Sequence, residues 1–354
     1  MTLVWKLKII IIILLAMIKN QVLFMMRKRL MATTVGLLSI IPAYSQPERH
    51  SGTPIVELFT DFHVSLDDTT VNNGFDLKRA YFGYRVSPVD KFFVKVILNA
   101  GQPEDMVAGS KMRRYAFFRE ASLSWSNERL TITAGLTSTR LFEFQQRFWG
   151  KRYVAPTFQL INNYGYDADI GIVVDYQVNN TFRADITLMN GEGFCNPVAD
   201  DKLKVSMGMT VTPGDNLAMR VHGEIQDMEG SLQPLFSGFI GYKNKYFRAG
   251  GEVICKSNMD SVKGHHGWGI STTGGIHLTE KTELFGRYDY SASVTSRGES
   301  VPWNRSNDGS FMIAGIEYSF SPDIRVALNY QSFFPREPSR NPTGCIYLNT
   351  VVRF

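Results

Sequence analysis

The chain has 354 residues, 44% hydrophobic and 20% charged, with a formal net charge of +5. That excess is local: Lys6, Lys8, Lys19, Arg27, Lys28 and Arg29 precede residue 46, no acidic residue does, and the remainder carries 32 bases against 33 acids, a net of −1. A near-neutral body excludes the basic footprint of a nucleic-acid binder, and three widely spaced cysteines, Cys195, Cys255 and Cys345, give neither a disulfide framework nor a metal-ligand spacing.

Residues 1–45 read as a targeting segment. Arg27-Lys28-Arg29 is a positive n-region, Leu30 to Pro42 a mostly apolar stretch, and Ala43-Tyr44-Ser45 places small residues at −3 and −1 before Gln46, the plan of a cleaved signal peptide. The earlier apolar run Ile9 to Ile18 is shorter than the roughly 20 residues a membrane helix needs. Met25 and Met26 sit just ahead of the n-region, and translation is expected to start at one of them. The folded body is then residues 46–354.

From Pro54 onward the pattern alternates with a period of two. Ala168, Ile170, Ile172, Val174 and Tyr176 interleave with Asp169, Gly171, Val173 and Asp175; Leu203, Val205, Met207 and Met209 interleave with Lys204, Ser206 and Gly208. Successive strand residues point to opposite faces, so one face is apolar and the other polar and charged. The segments run near ten residues, longer than the usual five or six of a soluble sheet and suited to a tilted bilayer crossing. Sixteen strands are predicted: 54–64, 75–86, 91–99, 113–125, 130–137, 166–177, 181–189, 202–212, 216–227, 235–243, 245–256, 268–278, 281–292, 310–320, 323–334 and 345–354.

Connections alternate in length. Short ones fall at 87–90, 126–128, 179–180, 213–215, 243–245, 279–281 and 321–323. Long ones fall at 65–74, 100–112, 138–165, 190–201, 228–234, 257–267, 293–309 and 335–343. Short periplasmic turns alternating with long external loops, and an even strand count, describe an all-β transmembrane antiparallel up-and-down barrel with both termini on the periplasmic side. Sixteen strands enclose a lumen wide enough for water. Ile346, Leu348, Thr350, Val352 and Phe354 share one face of the last strand, and the terminal Phe354 is expected to be the signal read by the barrel assembly machinery. Aromatics at strand ends, among them Tyr81, Phe82, Tyr84, Trp125, Tyr176, Tyr242, Tyr246, Trp268, Tyr318 and Phe320, are expected to form girdles against outer-membrane lipid.

The third external loop, Ser138 to Gly165, is the longest. Arg140, Glu143, Arg147, Lys151 and Arg152 give it a net of +3, and Phe142, Phe144, Phe148, Trp149 and Tyr153 make it aromatic. The expectation is that the loop folds into the lumen, with the aromatics against the wall and the cations in the water. Rings of Lys or Arg favour anions. On the inward strand face Arg79, Lys95 and Arg220 would extend the cationic path, interspersed with acids such as Glu120, Asp175, Asp185, Glu283 and Glu317 that are expected to pair across strands.

Several stretches resemble the phosphate-selective porin O and P family: Phe75-Asp76-Leu77-Lys78-Arg79-Ala80-Tyr81, Arg119-Glu120-Ala121-Ser122-Leu123 with Thr133-Ala134-Gly135, Asp169-Ile170-Gly171-Ile172, and Met189-Asn190-Gly191-Glu192-Gly193. The resemblance spans about residues 55–354. It implies a sixteen-stranded trimeric outer-membrane channel of a Gram-negative bacterium, narrowed by loop three, passing small anions or other small hydrophilic solutes. By that resemblance the cluster Arg140, Arg147, Lys151 and Arg152 would stand where the family has its phosphate-conducting cations. No cofactor, metal or nucleic acid is expected. The alternatives are a plugged structural or adhesive barrel and a barrel enzyme. His222 and His277 would face the lumen and His265-His266 an external loop, but no nucleophile motif accompanies them; two adjacent histidines are too few for a metal.

Overall fold

The computed structural model describes residues 52–66, 73–101, 115–194, 202–228 and 230–354. The targeting segment, the candidate starts Met25 and Met26, Cys195 and most of the first two external loops lie outside them.

Sixteen strands form in chain order: β1 (Gly52–Ser65), β2 (Gly74–Val89), β3 (Phe92–Gly101), β4 (Tyr115–Ser126), β5 (Leu130–Ser138), β6 (Ala168–Gln177), β7 (Phe182–Met189), β8 (Lys204–Val211), β9 (Leu217–Met228), β10 (Ser231–Lys243), β11 (Phe247–Lys256), β12 (Gly267–His277), β13 (Thr282–Ser293), β14 (Gly309–Ser321), β15 (Ile324–Pro335) and β16 (Thr343–Arg353). Each pairs antiparallel with its sequence neighbour, and β1 closes on β16 from Glu57↔Arg353 to Ser65↔Cys345. The seam continues to the last residue, where Val56 and Phe354 exchange two backbone hydrogen bonds of 2.8 and 3.0 Å. Closure leaves no unpaired strand edge, which the bilayer interior requires.

The alternation lands as the hydropathy pattern dictates. On β8, Lys204, Ser206 and Thr210 are buried inward, while Val205, Met207 and Met209 are exposed outward, Met207 at 62%. An exposed face of Val, Met, Ile and Leu continued around the barrel is a surface for lipid. At the short-turn end Tyr84, Tyr176, Tyr242, Tyr246, Tyr318 and Phe320 stand outward. Tyr81 does not join them. It points inward, 7% exposed, with its ring edge-on to Phe59 at 5.9 Å.

Three of the short turns share one device. Asn127, Asn179 and Asn244 each accept two backbone N–H groups through Oδ1, from Arg129 and Leu130, from Thr181 and Phe182, and from Tyr246 and Phe247. An Asn side chain that mimics a backbone turn fixes the hairpin register. One connection expected to be long is not. β10 begins at Ser231, which pairs with Met228, so the 228–234 loop collapses to a tight hairpin. Leu232 outward and Gln233 inward continue the alternation through it.

A β-bulge at Ile97/Leu98, opposite Glu120 and Phe118, leaves Arg119 as the extra residue on β4. Its guanidinium is thereby turned inward, onto Asp167. Bulges re-aim side chains in this way, and simple alternation assigns Arg119 to the wrong face.

Candidate pore constriction

The segment between β5 and β6 enters the barrel. It is not structureless. It folds into α1 (Arg140–Trp149) and the single turn α2 (Phe158–Ile161). Leu141, Phe142, Gln145 and Trp149 recur at helical spacing and form the buried stripe of α1. Gly150 ends the helix at φ +65°, donating to Gln146 O at 2.9 Å, a left-handed position that a side chain resists.

α1 packs on β10 and β11. The rings of Phe144 and Phe148 meet Phe239 at 5.3 and 4.9 Å. Phe148 fits because Gly241 and Gly250 face it; a Cβ at either would lie 2.4 or 2.5 Å from the ring. Arg248 then donates to the carbonyls of Phe148 and Trp149 at 2.7 and 2.6 Å, a cation on the negative end of the helix. Beyond the helix, Trp149, Tyr153 and Val154 join Phe59, Tyr81, Phe285 and Ile313 in an apolar cluster inside the barrel. A second cluster holds Leu141, Phe142, Phe158 and Tyr164 against Leu235 and Ile254.

Polar anchors fix the same segment. Lys151 Nζ sits 2.8 Å from Glu283 and 2.9 Å from Glu317, its side chain 2% exposed. The Tyr153 hydroxyl donates to Glu317 at 2.5 Å and Gln331 donates to Val154 O at 3.2 Å. Arg287 donates to the carbonyl of Pro156, and Gln159 to Glu252. Asp167, at the foot of the segment, takes Arg152 at 2.5 Å and Arg119 at 3.3 Å. Burial alone would raise the Asp167 pKa. The Arg119, Arg152 and Arg79 guanidiniums outweigh it and hold the carboxyl well below the usual range.

The cations named from sequence meet different fates. Arg140 makes a two-pronged pair with Asp175 at 2.9 and 2.6 Å and also reaches Glu143. Arg220 does the same with Asp185 at 2.6 and 2.9 Å. Lys95 pairs with Glu120 at 2.9 Å across strands. Lys151 and Arg152 are buried as structural anchors, because each meets carboxylates that offset its desolvation. The expectation that the loop's cations all face water therefore fails for Arg140, Lys151 and Arg152. Arg147 keeps to it: its side chain is 61% exposed and touches Glu143 at 3.1 Å. Arg79 donates to the Tyr81 hydroxyl at 3.3 Å and makes no ion pair among the described residues.

Two further inward cations are free of carboxylates among the described residues. Arg85 lies over the Phe93 ring at 4.9 Å and Arg183 donates to Gln177 at 3.0 Å. Arg147 and Arg183 border a cavity of about 520 Å³ near the short turns, together with Arg129, Arg140, Glu143 and Asp175. The inner wall of β11 to β13 is sealed by the loop, with Arg287 and Asp289 at 4% and 1% exposure. β2 also meets the loop, at Tyr81, and nearer the short turns Arg85 and Lys95 still face solvent. Among the described residues no group of three or more His, Cys, Asp or Glu is placed to hold a metal ion.

No family model matches this chain, and no curated protein matches it. Solved structures do. The outer membrane channel DcaP of Acinetobacter baumannii superposes with a TM-score of 0.63 at 10% identity, covering 89% of this chain and 100% of that one. The anion-selective porin from Comamonas acidovorans gives 0.62 at 11% identity, over 86% and 99%. OmpT of Vibrio cholerae, an outer-membrane protein, gives 0.59 at 12% identity, over 87% and 99%. The fold is that of Gram-negative outer-membrane porins.

Proposed function

We propose that this chain is a porin of a Gram-negative outer membrane, passing small hydrophilic solutes passively and preferring anions. The observation that carries the reading is the inward surface toward the short turns: loop three is bolted to the barrel wall above it, and Arg85, Arg147 and Arg183 remain there, none of them buried in a carboxylate pair. Incompletely neutralised cations in a narrow aqueous path attract anions. Inorganic phosphate is the narrower form of the same proposal. The preference rests on Arg147 of the loop and on the β2 and β7 wall; Lys151 and Arg152 hold the loop in place. The comparison porin from Comamonas acidovorans, described as anion-selective, supports the direction. The barrel acts without catalysis, assembles as a homotrimer, and is delivered through its terminal Phe354.

Reversal potentials across planar bilayers in a chloride gradient test the selectivity. The wild-type potential carries the anion sign, and Arg147→Gln or the double change Arg79→Gln/Arg85→Gln moves it toward the cation side. Cation preference, or a potential indifferent to these changes, refutes the proposal. The apolar cluster around Trp149, Tyr153 and Phe285 favours one rival, a plugged barrel, and a folded protein with no conductance would establish it.

A further inference from the structure

A second cavity, of about 430 Å³, lies at the long-loop end of the barrel. Loop three contributes Asn162, Asn163 and Tyr164, the segment between β13 and β14 contributes Trp303, Asn304 and Asn307, and Phe333 adds apolar surface. Its volume falls in the range of small-molecule pockets. Tyr164, 1% exposed, floors it, and the Phe158 ring packs behind at 5.7 Å with Leu141 and Phe142.

The indole is held in place. His265 stacks on Trp303 at 4.3 Å with planes 10° apart, and His266 O accepts the Nε1–H at 2.9 Å. This gives the adjacent histidines a structural task. The charges at the rim are mixed: Asp308 accepts from Ser293 N and Oγ at 2.8 and 2.6 Å, Arg340 donates to Ser306 O, and Asp260 also lines the cavity. The amides are only half used. Asn162 donates to Phe158 O at 2.9 Å and keeps its Oδ1; Asn307 donates to Asn304 Oδ1 at 2.9 Å, leaving one acceptor and one donor group open. The Asn163 side chain makes no hydrogen bond among the described residues.

We infer that this external pocket binds a neutral saccharide, a free mono- or disaccharide. A vicinal diol both donates and accepts, which matches paired amides with open donors and acceptors. The C–H face of a pyranose needs apolar surface, which Trp303 and Phe333 provide. Neither sign of charge is favoured, because the lining sets Asp260 and Asp308 against Arg340. The pocket is independent of the conduction proposal, since it lies off the hydrated path.

Purified folded barrel in detergent is titrated with glucose, galactose, mannose and their disaccharides, and with inorganic phosphate and gluconate as charged probes. Binding is followed by saturation-transfer NMR and by tryptophan fluorescence. At least one neutral sugar binds saturably in the millimolar range, with a fluorescence change that Trp303→Phe removes. Asn304→Ala/Asn307→Ala weakens it about tenfold or more, as loss of two hydrogen bonds implies, and leaves chloride conductance unchanged. Phosphate and gluconate do not compete. The inference is overturned if no sugar in the panel binds saturably, if the double variant binds as wild type does, or if phosphate displaces the sugar.

Discussion

Asp167→Asn removes one negative charge from between two buried guanidiniums and changes almost no volume. Arg119 and Arg152 have side chains 8% and 9% exposed, and Asp167 is the carboxylate that each contacts. Breaking a buried pair by deleting one partner costs about 3–5 kcal/mol. The retained amide oxygen and the Gln146 contact of Arg152 set the value near the lower end, about 3 kcal/mol. At 1.4 kcal/mol per decade that raises the population with loop three detached by roughly a hundredfold. Single-channel recordings then show frequent excursions to a higher conductance that are rare in the wild type. Acid reproduces the effect in the wild type. A carboxyl held below its unfolded value, about 3.9, contributes stability that is fully present above that pH and is lost as pH falls through the folded value. Excursions therefore rise below about pH 4 in the wild type, while the Asp167 component of that rise is absent from Asp167→Asn. A variant as quiet as wild type at neutral pH, with the same acid sensitivity, refutes the anchoring role of Asp167.

Lys151→Met strips a hydrogen-bonded cation from Glu283 and Glu317, which keep Arg248 and Arg325. It costs about 1.5–3 kcal/mol and raises open-channel noise; unchanged noise counts against Lys151 as an anchor. Gly150→Val forces a β-branched residue to φ +65° at about 1–2 kcal/mol, and calorimetry should show a lower Tm. Deleting Phe354 removes both the proposed assembly signal and the last seam bonds to Val56, so less heat-modifiable barrel reaches the membrane fraction. Equal yield contradicts the role given to Phe354.

The strands were legible because a barrel wall imposes one rule at every position. Lipid outside and polar lumen inside make the period of two continuous, and the Asn127, Asn179 and Asn244 turns punctuate it. Where the rule bends, the sequence misleads. The bulge at Arg119 puts two consecutive residues on one side, and Tyr81 carries the composition of a girdle residue but sits under loop three. α1 left a signal in the spacing of Leu141, Phe142, Gln145 and Trp149, followed by Gly150, yet a loop assignment passes over it. The fate of each cation was illegible. Lys151 meets Glu283 across 132 residues of chain, and Arg140 meets Asp175 across 35. No local pattern distinguishes a pore-facing arginine from a buried anchor; only the closed register does.

The central claim is an open aqueous path beside a fixed loop three. Conductance of the purified wild-type protein in planar bilayers tests it most directly. An open path gives discrete steps that grow with salt concentration and persist at neutral pH. A folded, heat-modifiable barrel that inserts and passes no current would contradict it.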